Sequence, residues 1–176
     1  MKTTHDRFIR GFVLLLILVL GGMIWMNRDR FVPIGPGARA PEYRMTTLAG
    51  DSVKISDYRG KVVVLNVWAT WCGPCVREMP QLQALHEKLA SEGVEVLGVS
   101  VDYGDDAPVT AFVKRFDLTF PILRDPSGDI QIAYATNGLP TTFIIDRSGR
   151  IRRREVGARE WADSSVVTEL RALLAD

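Results

Sequence analysis

Cys72 and Cys75 stand three residues apart in the run Trp71-Cys72-Gly73-Pro74-Cys75. At that spacing in the first turn of a helix, two Cβ atoms come close enough to close a disulfide. A helix N-terminus also offers unpaired backbone N–H groups and a partial positive charge, which stabilise a thiolate and lower its pKa. The pair therefore reads as a redox dithiol. Cys72, at the helix mouth, is expected to be the exposed nucleophile, and Cys75, a turn inward, the resolving thiol. Gly73 and Pro74 suit the tight turn, because proline is tolerated where its missing N–H has no helical partner. Other uses of the pair fit less well. Haem attachment needs His after the second Cys, and residue 76 is Val. A disulfide closing so small a loop constrains the unfolded chain little and makes a poor staple. Two inert buried thiols remain as the bland alternative. With only His5 and His86 besides, a four-ligand Cys/His zinc site is nearly excluded.

Such a dithiol needs a strand to end and a helix to begin beside it, and the flanking pattern supplies both. Val62–Trp68 is a near-continuous β-branched run, as expected of a strand covered on both faces. A helix is predicted from Cys72 to about Glu92, with Leu82, Leu85 and Leu89 on one face and Gly93 as its stop. Further strands are predicted over residues 43–48, 52–55, 94–101, 120–123, 142–146 and 151–156. Helices are predicted over residues 107–116, 129–134 and 164–175. Ala49-Gly50-Asp51 and Arg147-Ser148-Gly149 read as hairpin turns. This order implies a three-layer α/β/α sandwich with a mixed sheet.

The chain has 176 residues, room for one such domain and an appendage. Residues 1–40 hold six Lys/Arg against two Asp/Glu, and residues 41–176 hold sixteen against nineteen. The folded part is thus slightly acidic, which argues against nucleic-acid binding. Residues 11–26 carry no charge; as a helix they reach about 24 Å, and about 28 Å counted from Phe8, against a hydrocarbon core of about 30 Å. A cleaved signal peptide is the rival reading, but its best site, after Gly22, has the large Leu20 at −3. The expected organisation is a cytoplasmic tail at 1–10, an uncleaved transmembrane anchor at 11–26, a Pro/Gly spacer at 27–40 and the domain at 41–176. Lys2, Arg7 and Arg10 before the span, against Arg28 and Arg30 after it, favour a cytoplasmic N-terminus.

WCGPC after VVVLNVWAT, with Gly-Leu-Pro-Thr-Thr at 138–142 before a strand, resembles the thioredoxin superfamily. The resemblance implies a cis Leu139–Pro140 bond facing the active-site disulfide, since cis bonds are essentially a proline phenomenon. Pro80 matches the kink-forming proline of the first active-site helix. Thioredoxin itself has a buried Asp where this chain has Asn66. Glu78, three residues after Cys75, is instead similar to the acid of membrane-anchored, extracytoplasmic reductases of the TlpA, ResA and CcmG type. The longer stretch at 102–126, the N-terminal hairpin and the Asp-Tyr-Arg-Gly-Lys run at 57–61 resemble the same group. A partly desolvated carboxylate one turn beyond Cys75 can accept the proton that Cys75 loses on attacking a mixed disulfide. Trp71, Gly73, Pro74, Leu139 and Pro140 are expected to shape the site. Trp68 is expected in the core, Trp71 at the surface, and His86 on the exposed side of its helix.

The resemblance implies a membrane-tethered thiol:disulfide oxidoreductase of the bacterial inner membrane, its domain periplasmic, reducing protein disulfides in cytochrome c maturation. Apocytochrome c would be a substrate and a membrane dithiol carrier of the DsbD/CcdA type the donor. No cofactor beyond the Cys72–Cys75 pair is implied. The alternatives are a general periplasmic reductase or isomerase, a binding module without turnover, and a redoxin-type thiol peroxidase. Peroxiredoxins place Thr three residues before their reactive Cys, and residue 69 is Ala. Arg150 and Arg152 to Arg154 read as a solvated strand edge that discourages association.

Overall fold

The computed structural model describes residues 2–27 and 34–175. The chain divides between Pro33 and Ile34 into two compact units. The first holds one helix, α1 (Lys2–Asn27). Its stretch Ile9–Met26 has a mean hydropathy of 2.3 and is exposed along its whole length. At 1.5 Å per residue those 18 residues reach about 27 Å, so α1 is long and apolar enough to cross a bilayer.

The second unit is an α/β domain. Its strands are β1 (Arg44–Thr47), β2 (Ser52–Lys54), β3 (Val62–Trp68), β4 (Val94–Ser100), β5 (Ile122–Arg124), β6 (Thr141–Ile145) and β7 (Ile151–Val156). Among the described residues they form one sheet in the order β2-β1-β5-β4-β3-β6-β7. The three inner strands β5, β4 and β3 run parallel, and both flanks are antiparallel. The helices are α2 (Gly73–Leu89), α3 (Ala107–Arg115), α4 (Asp129–Ala133) and α5 (Ser164–Ala175). Every residue of β3 and β6 is buried, which requires cover on both faces of the sheet. This is the mixed-sheet thioredoxin-like sandwich expected from the sequence.

Each feature near the site has a local cause. Leu82, Leu85 and Leu89 are buried together, as their spacing on α2 predicts. Pro80 lies inside α2, and Gly93 ends the following short 3-10 turn at φ 105°, a left-handed conformation that glycine adopts without strain. The stretch at 102–126 supplies α3 and β5. It joins the N-terminal hairpin to the parallel strands, because β5 lies between β1 and β4.

Several boundaries shift by a residue or more: α2 ends at Leu89 with a 3-10 turn to Glu92, Ile55 begins a 3-10 turn rather than ending β2, and two further differences concern packing. The extended segment predicted at 120–123 pairs as β5 two residues later, where Gly98, Val99 and Ser100 of β4 fix its register. The spacer expected at 27–40 is shorter at its C-terminal end. Ala38 and Ala40 are buried, Ile151 donates its N–H to Ala38 O at 2.8 Å, and Ala40 donates to Gly149 O at 2.9 Å. These small residues let the backbone lie against the end of β7, so the Pro/Gly composition marks close packing there. Residues 28–33 of the expected spacer lie outside the described residues.

Candidate active site

The last residue of β3, Trp68, is buried with its ring 4.8 Å from that of Phe112. The turn that follows is pinned by one carboxylate. Asp102 accepts the Thr70 N–H at 3.0 Å and the Thr70 hydroxyl at 2.5 Å. The Ser100 hydroxyl donates to Asp102 at 2.8 Å, and Ser100 Oγ accepts from Arg124 Nη1 at 2.7 Å. Arg124 is itself buried and ion-paired to Asp106 at 2.6 Å. The resulting chain of bonds fixes the ends of β3, β4 and β5 against one another and against the turn that leads to Cys72.

Cys72 is the N-cap of α2, with extended backbone at φ −85° and ψ 102°. The Cys75 N–H donates to Cys72 Sγ at 3.3 Å, and Val76 N–H donates to Cys72 O at 3.0 Å. Pro74 occupies the first helical turn, where no N–H is missed. The two sulfurs are bonded at 2.09 Å with Cα atoms 5.2 Å apart. Cys72 retains 6% of its surface and Cys75 none, so Cys72 is the outer sulfur although even it is largely covered. A helix N-terminus aims its partial positive charge at the cap residue, which favours a thiolate at Cys72 once the bond is reduced.

Opposite the dithiol, Leu139–Pro140 is a cis peptide, as the resemblance implied. Pro140 is buried and Leu139 half-buried. Pro140 O accepts from Gly157 N–H at 2.8 Å, and the Thr141 hydroxyl donates to Gly138 O at 2.7 Å, which hold the loop in place. An open groove of about 540 Å³ runs between the two, with Trp71, Cys72 and Pro74 on one wall and Gln131, Asn137 and Leu139 on the other. Trp71 is 70% exposed and stands at its rim.

Glu78 is not a solvated helix residue; it retains 1% of its surface. Asn66 Nδ2 donates to Glu78 Oε1 at 2.7 Å, Trp161 Nε1 donates to Oε2 at 3.0 Å, and the Arg159 N–H reaches Oε2 at 3.4 Å. Burial pushes the Glu78 carboxyl above its ordinary value, while the bonds from Trp161, Asn66 and the Arg159 N–H pull it back in part. The net displacement is upward, which makes Glu78 a better proton acceptor than a solvated carboxylate.

Sequence reasoning placed Cys72, Cys75, Glu78, Trp71, Gly73, Pro74, Leu139 and Pro140 at one site. The structure lines the groove with Trp71, Cys72, Pro74 and Leu139, while Gly73 and the buried Cys75 lie in the first turn of α2, Pro140 is buried beside Leu139, and Glu78 is among the buried residues of α2. It adds groups no motif marked: Trp161 and Arg159 on Glu78, and Asp102, Ser100 and Arg124 under the turn. Asp102, an acid directly after a buried strand, was the one visible hint. His86, expected exposed, is half-buried with its ring 6.1 Å from that of Phe120. The α3–β5 stretch that carries Phe120 covers that part of α2. Arg152, Arg153 and Arg154 lie on the sheet-edge strand β7, where Arg152 pairs with Asp146 and Arg153 with Glu169. Among the described residues no cluster of His, Cys, Asp and Glu is arranged to hold a metal ion.

A dithiol capping a helix, a cis-proline across a groove and this sheet order together define a thioredoxin-like thiol:disulfide oxidoreductase. The profile of the AhpC/TSA family matches residues 36–154, and the chain belongs to that family. It is 39% identical over 155 residues to the thiol-disulfide oxidoreductase ResA of Geobacillus thermodenitrificans, across 87% of this chain and 88% of the relative. Among solved structures it is similar to a Chlorobium tepidum protein assigned provisionally as thiol:disulfide interchange protein DsbE. That likeness has a TM-score of 0.73 and 32% identity, covering 79% of this chain and 97% of the other. A secreted thiol-disulfide isomerase from Corynebacterium glutamicum superposes with a TM-score of 0.70 at 27% identity, over 78% of this chain and 86% of that one.

Proposed function

We propose that this enzyme is a membrane-tethered protein-disulfide reductase working outside the cytoplasm, with Cys72 as nucleophile, Cys75 as resolving thiol and Glu78 as the acceptor of the Cys75 proton. In the reduced enzyme the Cys72 thiolate attacks one sulfur of a substrate disulfide, and the other substrate sulfur leaves as thiolate. Cys75 then passes its proton to Glu78 and attacks Cys72 Sγ. The second substrate thiolate departs, the Cys72–Cys75 disulfide forms, and two electrons have moved to the substrate. Trp71 and Leu139, on facing walls of the groove, hold the substrate strand while this happens.

The observation that carries this reading is the pairing of the helix-capping Cys72 with a buried carboxyl three residues beyond Cys75. The apolar α1 supports tethering in the bacterial inner membrane, with the N-terminus inside and the domain periplasmic. In that oxidising compartment the haem-attachment thiols of apocytochrome c become oxidised and need a reductant, itself recharged by a membrane dithiol donor. Likeness to ResA and DsbE supports this substrate class. In the native host, Cys75→Ser should trap Cys72 mixed disulfides with apocytochromes c. Adducts spread over unrelated exported proteins, with none on a cytochrome, would make the enzyme a general reductase.

A further inference from the structure

Glu78 is enclosed by groups from several elements outside α2. Asn66 on β3 donates through one amide nitrogen both to Glu78 Oε1 at 2.7 Å and to Thr142 Oγ1 on β6 at 2.8 Å. Trp161, between β7 and α5, donates to Oε2 at 3.0 Å and is fully buried. Only the backbone N–H of Arg159 serves Glu78. Its guanidinium bonds Glu155 of β7 at 3.1 Å and Glu169 of α5 at 3.4 Å and lies 5.4 Å from the Trp161 ring centre. Arg153 ties the same two glutamates, so the segment carrying Trp161 is clasped at both ends. The titratable and charged groups around Glu78 are therefore Cys75 on its own helix and, behind the Trp161 segment, Arg159, Glu155, Glu169 and Arg153.

The two side-chain donors differ in kind. An indole N–H can only donate, so Trp161 requires an oxygen lone pair at Oε2 in every state of Glu78. Asn66 carries a donor and an acceptor, and its Oδ1 is buried without a hydrogen-bond partner. Turning the amide by half a revolution exchanges Oδ1 and Nδ2. It puts an acceptor at the place now 2.7 Å from Oε1, where a protonated carboxyl would donate. The Thr142 hydroxyl accepts in the first orientation and donates in the second, so Glu78 and Thr142 stay paired in both, and the unpartnered end of the amide passes from Oδ1 to Nδ2.

We propose that Asn66 and Trp161 are positioning residues that make Glu78 a two-state proton holder, Trp161 reserving Oε2 and the Asn66 amide turning to match Oε1 as carboxylate or as acid. The proton released by Cys75 is then lodged on Oε1. This rests on the reading of Glu78 as the acceptor of that proton. Oδ1, without a partner while Glu78 is a carboxylate, gains the Oε1 proton and the Thr142 hydroxyl as donors when Glu78 is the acid.

The test uses the full-length enzyme and the pH dependence of ring closure when the reduced protein is mixed with a small aromatic disulfide. Wild type should show an acid limb set by Glu78, and E78Q should lose it. W161F, which keeps the ring and removes the N–H, should move the limb up by about one pH unit, the scale of one lost charge-assisted hydrogen bond. The protonated Glu78 carboxyl stretch in difference infrared spectra should rise in N66L, because the acid has lost its acceptor. An unchanged limb in E78Q overturns the Glu78 reading and this inference with it. A limb lost in E78Q but unmoved in W161F, or a stretch unmoved in N66L, overturns this inference alone. If W161F does not fold, the N66L spectrum decides.

Discussion

Glu78 is the residue at which burial and hydrogen bonding pull against each other, and the balance has a thermodynamic signature. Burial dominates and the folded carboxyl is raised above its ordinary value of 4.5, with the Trp161, Asn66 and Arg159 bonds offsetting only part. A raised folded value means that Glu78 contributes stability below the unfolded value and that this contribution is lost as pH rises through the folded one. Glutamine at this position has no such dependence. The unfolding free energy of oxidised Glu78→Gln, measured against wild type in denaturant, should therefore gain on wild type from about pH 4 upward, then level off. A difference that shrinks with pH would mean that the three donors outweigh burial. A sequence cannot show this balance. It identifies an acid one turn from Cys75, but a glutamate on a helix is solvated unless distant parts of the chain close over it. Here the closure comes from Trp161, 83 positions away.

The elements were more legible than their contacts. β3 runs over the residues its β-branched run predicts, β7 over those expected after the hairpin turn at 147–149, and α2 begins where the dithiol requires. Those patterns are local, so local reading recovers them. The position of β5 depends on which residues of β4 it meets, and the 3-10 turn at Ile55–Tyr58 depends on Ile55 reaching the core. Neither is written in its own segment. Gly98 on β4 illustrates the point: it pairs with Asn66 and reads as a weak spot in a strand. In the structure a Cβ there would lie 3.0 Å from Ile122 Cδ1 and Phe120 Cε2 and 3.1 Å from Trp68 Nε1. All three neighbours are buried, and each must shift by a few tenths of an ångström to admit a methyl group. Gly98→Ala should thus lower the unfolding free energy by about 1–3 kcal/mol, the usual range for overpacking a close-packed core. A neutral or stabilised variant in urea titrations would show that the β5 side yields.

At the scale of the whole molecule, the two ends of the sheet do different work. β6 runs antiparallel to β3 with Ile145 opposite Val63, so the turn at 146–150 lies at the start of β3. Cys72 lies past its far end, roughly 20–25 Å away at a strand's rise per residue. Residues 37–40 pack beside that turn, so the first described residues of the domain lie at the end of the sheet remote from the dithiol. In the proposed function, attachment at that end leaves the groove free for a substrate and for a reductant. On that proposal the intrinsic direction of electron flow is expected to be a property of residues 34–176 alone. A Cys-Gly-Pro-Cys pair is that of thioredoxin, whose potential is about −270 mV, whereas the oxidant DsbA lies near −120 mV. For a two-electron couple that gap is roughly 7 kcal/mol, more than surrounding groups such as Asn66 and Glu78 supply when they shift a potential by tens of millivolts. Equilibration with glutathione or dithiothreitol buffers should therefore place the full chain and residues 34–176 at the same potential, more negative than about −180 mV, the value for protein disulfide isomerase. A more positive potential would make the enzyme an oxidase or isomerase and remove apocytochromes as substrates. A potential that changes when the anchor is removed would show that α1 acts on the dithiol rather than only holding it at the membrane.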